Sequence, residues 1–565
     1  MKNSIFCAVL LAALAGCLAA EVTSANEQGT ADYLKAGPEQ MRQWRDLKFG
    51  LFVHWGPVSL MGAEISWSRG GERRGRKGTG EIPVEVYDNL YRSFYPIEFD
   101  ANQWVRIAKA AGMRYLVFTT KHHDGFCMFD SALTDYKITN SPFKRDVVKE
   151  LADACHKAGL KLGFYYSQPD WHHPDYRTEN HSRYIEYLHG QLRELCTKYG
   201  KVDIIFFDGL GGKAEDWDSE NLFRMIRSLQ PQVIINNRAG LPGDYDTPEQ
   251  RVGEFRPEPP WETCMTICEQ WAWKQGDRLK SLKECIEALT STVGGDGNLL
   301  LNVGPMPTGR IEPRQADRLK EMGDWLGKYG RSIYRTRGGP FKSGTWGAST
   351  YKGNRIYLHF FNWHGSQFTL PAIPQKVIGS SLLTGGSVKV KQSHNAITVI
   401  VPQQNQQEID TIVTLELDGP ADAIEPVSVP SRSLAYKCKA ASSSIYRDRP
   451  SDGPDKAFDD DAATGWRANG KEGWLEVDLG QAKKVDTVLI LEGSSYFGAE
   501  KFELLCKSDD RWKSLATGTK LGQPALLKFE PVTARRFRLV VSRADRQPIV
   551  REFQIFGPES HKTGD

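Results

Sequence analysis

A chain of 565 residues has room for about two to four domains, and 40% hydrophobic with 25% charged residues is the balance of an ordinary globular protein. A net charge of +3 is too small to point to a nucleic-acid partner. The 15 Trp and the 11% aromatic content suit either large cores or ring faces laid against sugars.

The chain begins "MKNSIFCAVLLAALAGCLAAEV", with Lys2 ahead of an apolar stretch at 5–16. This predicts an export signal over residues 1–20, too short to span a membrane. Leu14-Ala15-Gly16-Cys17 matches the bacterial lipobox, so lipidation at Cys17 and a periplasmic or cell-surface location are expected, with cleavage after Ala19 or Ala20 as the alternative. No later run reaches about 18 apolar residues, so membrane contact is expected only through such an anchor. The remaining cysteines match no zinc spacing, and Cys155 and Cys196 fall on apolar helix faces as buried thiols. Their spacing does not reveal any disulfide pairing.

Three consecutive windows then repeat one pattern. Trp104, Ile107, Ala108 and Ala111 make a helix face, Gly112 ends it, and "MRYLVFTT" follows. Val147, Val148, Leu151 and Cys155 precede Gly159 and "LKLGFYYS". Ile185, Leu188, Leu192, Leu195 and Cys196 precede Gly200 and "VDIIFFD". Helices alternating with short apolar strands predict parallel strands. "KFGLFVHW", "QVIINNR", "WETCMTI" and "NLLLNVG" extend the series. Seven or so strands over about 300 residues favour the α/β class, as a (β/α)8-type barrel. No Gly-rich phosphate loop follows a strand, which argues against a nucleotide fold.

The strands end on chemistry: His54, then His122 and His123, then Tyr166, Asp208 and Arg238. In such a barrel the C-terminal strand ends converge where catalytic groups sit. Asp208 rises from "IIFFDG" as a lone carboxylate, and Gly209 after it would let a ligand approach the backbone. The turn-rich segment 240–250 adds Asp244, Asp246 and Glu249, and "PPWETC" adds Glu262. One carboxylate fixed on a strand and another on a mobile loop suit glycoside cleavage, with one as nucleophile or base and the other protonating the leaving oxygen. His122, His123 and Asp208 also form a possible metal set, although neighbours on a strand point to opposite faces.

Eight motifs now stand in order: "FGLFVHWGPVS" (49–59), "KHHDGF" (121–126), "LGFYYSQPDW" (162–171), "IIFFDG" (204–209), "INNR" (235–238), "GDYDTPEQ" (243–250), "WETC" (261–264) and "GGDGNLLLNVGPMPTGRI" (294–311). Together they resemble the α-L-fucosidases of glycoside hydrolase family 29, over roughly residues 32–335. The resemblance implies a retaining exo-α-L-fucosidase with Asp208 as nucleophile and a fucosylated glycan as substrate. It implies Glu249 as acid/base, with Glu262 as the alternative. It places His54, His122, His123, Tyr166 and Arg238 around the ring hydroxyls and the nucleophile, and Trp67 and Phe206 against the ring and its methyl group. Trp271 and Trp273 of "WAW" are further candidates for the pocket wall. No cofactor and no catalytic metal are expected. A retaining pair stands about 5–5.5 Å apart, and its acid is kept neutral near pH 7 by burial or by a neighbouring charge.

One departure concerns the Glu–Trp pair of many members: here Ser66 precedes Trp67, and Glu64 is displaced by two. Glu64 is expected to reach the same hydroxyl, or the pocket is tuned otherwise. The basic stretch from Arg69 to Lys77 is either a solvated loop or a lid for the aglycone or an acidic neighbouring sugar. Two other functions remain: a catalytically silent glycan-binding protein, and a glycosidase for a related sugar such as an α-L-galactoside.

Beyond residue 335 the helical pattern stops. Short alternating strands predict a β-sandwich over 336–425, and 419–433 reads as a linker. Residues 436–558 resemble the discoidin, or coagulation-factor C-type, domain, which often binds carbohydrate in exported glycosidases. Asp459, Asp460, Asp461 and Thr464 could hold a structural calcium ion. Trp466, Trp474 and Tyr496 are candidate sugar contacts, with Trp466 and Trp474 placed rather in the core.

Overall fold

A computed structural model describes residues 33, 35–363, 365–461, 464–493, 499–519, 521, 525–543 and 547–558. The export signal, Cys17 and Tyr496 lie outside the described residues. The chain divides into two compact units. One comprises Met1–Trp44, Ile65–Ile97 and Leu116–Thr247, and the other Arg45–Glu64, Glu98–Tyr115 and Pro248–Asp565.

The parallel strands are β1 (Phe49–Val53), β2 (Tyr115–Lys121), β3 (Lys161–Tyr166), β4 (Ile204–Phe207), β5 (Ile234–Ile235), β6 (Glu262–Thr266) and β7 (Asn298–Val303). The first unit carries β5-β4-β3-β2 in that order. The expected helices are present: Ala101–Ala110, which belongs to the second unit, precedes β2, and in the first unit Val147–Ala158 and His181–Lys198 precede β3 and β4. Asp100 and Asp146 cap the first two by accepting from Gln103 N–H and Lys149 N–H. Gly112, Gly159 and Gly200 turn the chain out of the three helices at φ 85°, 67° and 75°. Trp104, Val148, Leu151, Leu188 and Leu192 are fully buried. Burial of that kind contributes about 1.5–3 kcal/mol per large side chain and holds the helices on the strands.

In the second unit β1 pairs with β7 and β7 with β6, all parallel. The α/β class is therefore as expected. The eighth strand of a closed barrel has no counterpart among the described residues. Two antiparallel sheets follow, of five and three strands between Arg337 and Leu417, around a core that includes Ile356, Leu358, Ile397, Val399 and Val413. A seven-stranded antiparallel sheet occupies Lys439–Phe556, with Trp466, Leu475, Val477 and Phe537 inside. All eight described cysteines are free thiols. Burial pushes Cys155 and Cys196 up to about 12.

Candidate active site

In the first unit the strand ends bring their side chains together. Asp208 follows β4 with its side chain 14% exposed. Its Oδ1 faces Arg238 Nη1 at 3.3 Å, and Oδ2 accepts from the Tyr165 hydroxyl at 2.9 Å and lies 3.6 Å from His123 Nε2. Arg238 is aimed by Thr247, whose hydroxyl and carbonyl accept from Nε at 2.7 Å and Nη2 at 3.1 Å. The backbone is tied as well: Asp208 N–H donates to Gln168 Oε1 at 3.0 Å, while Gly209 N–H and Gln168 Nε2 both donate to Arg238 O. A Cβ on Gly209 would stand 2.5 Å from that carbonyl. This glycine thus admits the neighbouring strand end rather than a ligand.

Both histidines of the "KHHDGF" motif face the same side, with ring centroids 4.1 Å apart. Strand alternation does not separate them because β2 ends at Lys121. Ser167 gives its hydroxyl hydrogen to Pro169 O at 2.6 Å, so its Oγ accepts from His123 Nδ1 at 2.6 Å. Neutral His123 therefore keeps Nε2 as an acceptor. His122 Nδ1 bonds Ser66 Oγ at 2.6 Å, and the ring stacks on Tyr165 at 5.2 Å. His122, His123 and Asp208 bring one ligand atom each within 4.8 Å of one another, which corrects the opposite-faces expectation. The Arg238 guanidinium beside Asp208 would repel a divalent cation there, and the acceptor and donor set suits hydroxyl groups.

Tyr166 does not belong to this group. Its hydroxyl donates to Gln191 Oε1 at 2.7 Å on the helix side of β3. Neighbouring residues of a strand point to opposite faces, so Tyr165, stacked on Phe206 at 5.9 Å, takes the place expected of Tyr166. Phe206 also underlies the Arg238 guanidinium at 5.4 Å. Trp67 stands edge-on to His123 at 5.6 Å and to Trp171 at 5.3 Å.

The rest of the opening motif holds this arrangement in place. Buried Lys121 pairs with buried Asp170 at 3.1 Å, and Asp170 also accepts from His172 N–H and His173 N–H. Burial pushes the Asp170 carboxyl up, but Lys121 and these donors outweigh it and leave it below the usual range. Asp124 accepts from the Tyr87 hydroxyl at 2.7 Å and from Phe126 N–H. Gly125, at φ 81°, is required because a Cβ would stand 2.3 Å from Asp170 Oδ1.

The second unit holds the other candidates. Asn302 Nδ2 donates to Trp271 O at 2.8 Å, which turns its Oδ1 toward His54 Nδ1 at 2.7 Å. Neutral His54 thereby also keeps Nε2 as an acceptor, and its ring lies 4.7 Å from that of Trp271. Glu64, expected on a sugar hydroxyl, spends its two oxygens on Trp271 N–H and Ala272 N–H, both at 3.0 Å, and so positions the Trp271 segment. Trp273 is half-buried, with an indole N–H that has no hydrogen-bond partner among the described residues. Glu249 is exposed, on backbone tethered to β6 through Cys264 N–H to Pro248 O and Gln250 N–H to Cys264 O. The segment is therefore paired rather than mobile. Asp244, from the same turn-rich stretch but within the first unit, is a buried partner of Arg227 at 2.8 Å. Glu262 opens β6 at its N-terminal end, fully buried, 2.5 Å from the Tyr115 hydroxyl. That is the stabilising end of a parallel strand, which removes Glu262 as the acid/base alternative.

Of the four expected calcium ligands, Asp459, Asp461 and Thr464 lie together, the Thr464 hydroxyl 3.2 Å from Asp461 O and Asp461 N–H donating to Asp459 Oδ1 at 3.2 Å, while Asp460 turns away. Asp459 accepts from the Thr464 hydroxyl, and Asp460 from Thr345 at 2.6 Å and Gln554 at 2.5 Å. Trp466 is fully buried, and Trp474 is half-buried under the Arg538 guanidinium at 4.3 Å.

Tyr165, Ser167, Gln168, Thr247 and Asn302 were not singled out in sequence, and Ser66 stood there only as a departure from the Glu–Trp pair. For Tyr165 the signal was present: Leu162, Phe164 and Tyr166 form the alternate apolar set that a helix layer covers, leaving Gly163 and Tyr165 for the other face.

A family model for α-L-fucosidases matches residues 17–331, over half of the chain. The chain belongs to the α-L-fucosidase family. A model for the F5/8 type C domain matches residues 439–553. The rat plasma α-L-fucosidase is 32% identical over 362 residues, 57% of this chain and 77% of that protein. Among solved structures, α-L-fucosidase isoenzyme 1 from Paenibacillus thiaminolyticus is 37% identical with a TM-score of 0.62, covering 67% of this chain and 99% of its own. A family 29 α-L-fucosidase from Bacteroides thetaiotaomicron is 29% identical with a TM-score of 0.61, covering 68% and 97%. This member of the family is a glycoside hydrolase with a discoidin-like C-terminal region.

Proposed function

We propose that the chain is a retaining exo-α-L-fucosidase that removes terminal α-L-fucose from a fucosylated oligosaccharide or glycoconjugate by double displacement on Asp208. One observation carries this reading: a strand-end carboxylate flanked by Arg238, the Tyr165 hydroxyl and His123. The Bacteroides relative, described as a trapped covalent intermediate in complex with 2-fluoro-fucosyl fluoride, supports it. In the first step an Asp208 oxygen attacks the anomeric carbon, the bond to the aglycone oxygen breaks, and Glu249 gives that oxygen its proton. In the second step water attacks the β-fucosyl ester, Glu249 takes the water proton, and Asp208 leaves. Nε2 of His123 accepts from a ring hydroxyl, Arg238 and Tyr165 aim the nucleophile, and Trp67 and Phe206 offer apolar faces to the ring.

Stereochemistry tests both carboxylates. Asp208→Gly should abolish hydrolysis of a nitrophenyl α-L-fucoside, and azide should restore turnover as β-L-fucosyl azide, because a single displacement inverts. Glu249→Ala with azide should give the α-azide, because azide then opens the β-ester. Full activity of Asp208→Gly overturns the assignment. Export with lipidation at Cys17 is proposed on sequence alone, and loss of labelled palmitate from Cys17→Ala is its test. Among the described residues no helix is long and apolar enough to cross a membrane.

A further inference from the structure

The loop "SRGGERRGRKGTGE" (68–81) carries five cationic and two acidic side chains. Two of the cations anchor it. Buried Arg69 grips Asp88 through two bonds of 2.6 Å. Arg74 donates to the carbonyls of His173, Pro174 and Tyr176 at 2.9, 2.8 and 2.6 Å. The segment is therefore tied down rather than free in solvent.

The other cations have no such role. Arg73 is 8% exposed, with its guanidinium over the rings of Trp67 and Trp171 at 5.2 and 5.3 Å. One of its terminal nitrogens donates to Trp67 O, and its buried Nε has no hydrogen-bond partner among the described residues. Exposed Arg76 lies over the same Trp67 ring at 5.4 Å, and its single bond reaches Leu210 O at 3.3 Å. Neither these two nor exposed Lys77 forms an ion pair among the described residues. Burial disfavours the charge on Arg73, Glu81 partly restores it, and Arg76 opposes it again. Like charges held beside one aromatic ring raise the energy of the loop unless an anion joins them.

The place where an anion would join them is informative. Trp67 meets His123 edge-on at 5.6 Å, His123 meets Asp208, and Leu210 follows Asp208 by two residues. A single indole ring separates the cations from the group around Asp208, which puts them beside the candidate site.

We propose that Arg73 and Arg76, assisted by Lys77, form an aglycone subsite for an oxyanion, a carboxylate or sulfate ester on the sugar to which the fucose is attached. This rests on the fucosidase reading and names its substrate class.

The test compares three fucosylated disaccharides that differ only in the acceptor: galactose, glucuronic acid and galactose 6-sulfate. The wild type should favour at least one anionic substrate over the neutral one in kcat/KM by about threefold or more. The preference should shrink with added salt, fall to about one in Arg76→Ala and reverse in Arg76→Glu. Which anionic substrate is favoured separates carboxylate from sulfate. A wild type without the preference, or one whose preference survives Arg76→Glu, overturns the subsite. If the folded wild type cleaves none of the three, the fucosidase reading fails by itself. Titration calorimetry with free galactose, glucuronate and galactose 6-sulfate then decides the subsite: tighter binding of an acid, lost in Arg76→Glu, sustains it, and equal binding overturns it.

Discussion

Asp208 and Glu262 are both strand carboxylates beside a tyrosine hydroxyl, Tyr165 at 2.9 Å and Tyr115 at 2.5 Å. Asp208 lies just past the C-terminal end of β4, is partly open, and has a guanidinium and an imidazole for neighbours. Glu262 opens β6 at the N-terminal end and is fully enclosed. A tyrosine partner alone does not mark a reacting carboxylate. Under the proposed reading, access and a neighbouring cation at the C-terminal strand end distinguish Asp208, because a nucleophile must reach its substrate.

Substitutions at the two sites put that distinction to its severest test. Asp208→Asn should lower kcat on a nitrophenyl fucoside by about a thousandfold or more while leaving Tm nearly unchanged. Glu262→Gln should leave kcat within about twofold and cost about 1 kcal/mol of stability by thermal unfolding. Loss of activity in Glu262→Gln with an unchanged Tm would erase the difference. Glu249 sharpens it next. Glu249→Ala should cost about a hundredfold or more with a poor sugar leaving group and far less with dinitrophenol, since only the poor one needs its proton. Equal losses on both would remove Glu249 from the acid role. Within β3, Tyr165→Phe should lower kcat/KM by about tenfold with the fold intact, whereas Tyr166→Phe should lower Tm and spare activity.

The smallest effect concerns a carboxyl with weaker support. Glu287 has Lys283 at 3.5 Å, and burial, against that attraction, pushes it up from the ordinary 4.5 to about 7. The folded state then holds a proton that the unfolded state releases between these values, so stability falls as pH rises from 4.5 to 7. Glu287→Gln removes that slope and should gain about 1–3 kcal/mol relative to the wild type on going from pH 4.5 to pH 8. Parallel Tm curves for the two proteins would contradict this.

Much of the site was legible because its residues sit at strand ends that periodicity locates. His122, His123, Asp208 and Arg238 follow apolar runs too short for helices, and each run is preceded by an amphipathic helix. The misassignments were matters of direction. Tyr165 and Tyr166 are adjacent and chemically alike, and only the face presented to helix His181–Lys198, with Gln191 on it, separates them. Glu64 had the right charge for a sugar contact, but two backbone N–H groups distant in sequence claimed it.

The sequence by itself determined the alternation of helices and parallel strands, the motif order that marks the family and the strand end on which Asp208 stands, because these depend on hydrophobic period and local residue chemistry. The tertiary structure alone decided that Tyr165 meets Asp208, that Ser66 and Ser167 orient the two histidines, and that Arg73 and Arg76 share one indole. Those are contacts between segments far apart in the chain, and the folded backbone sets their distances and directions.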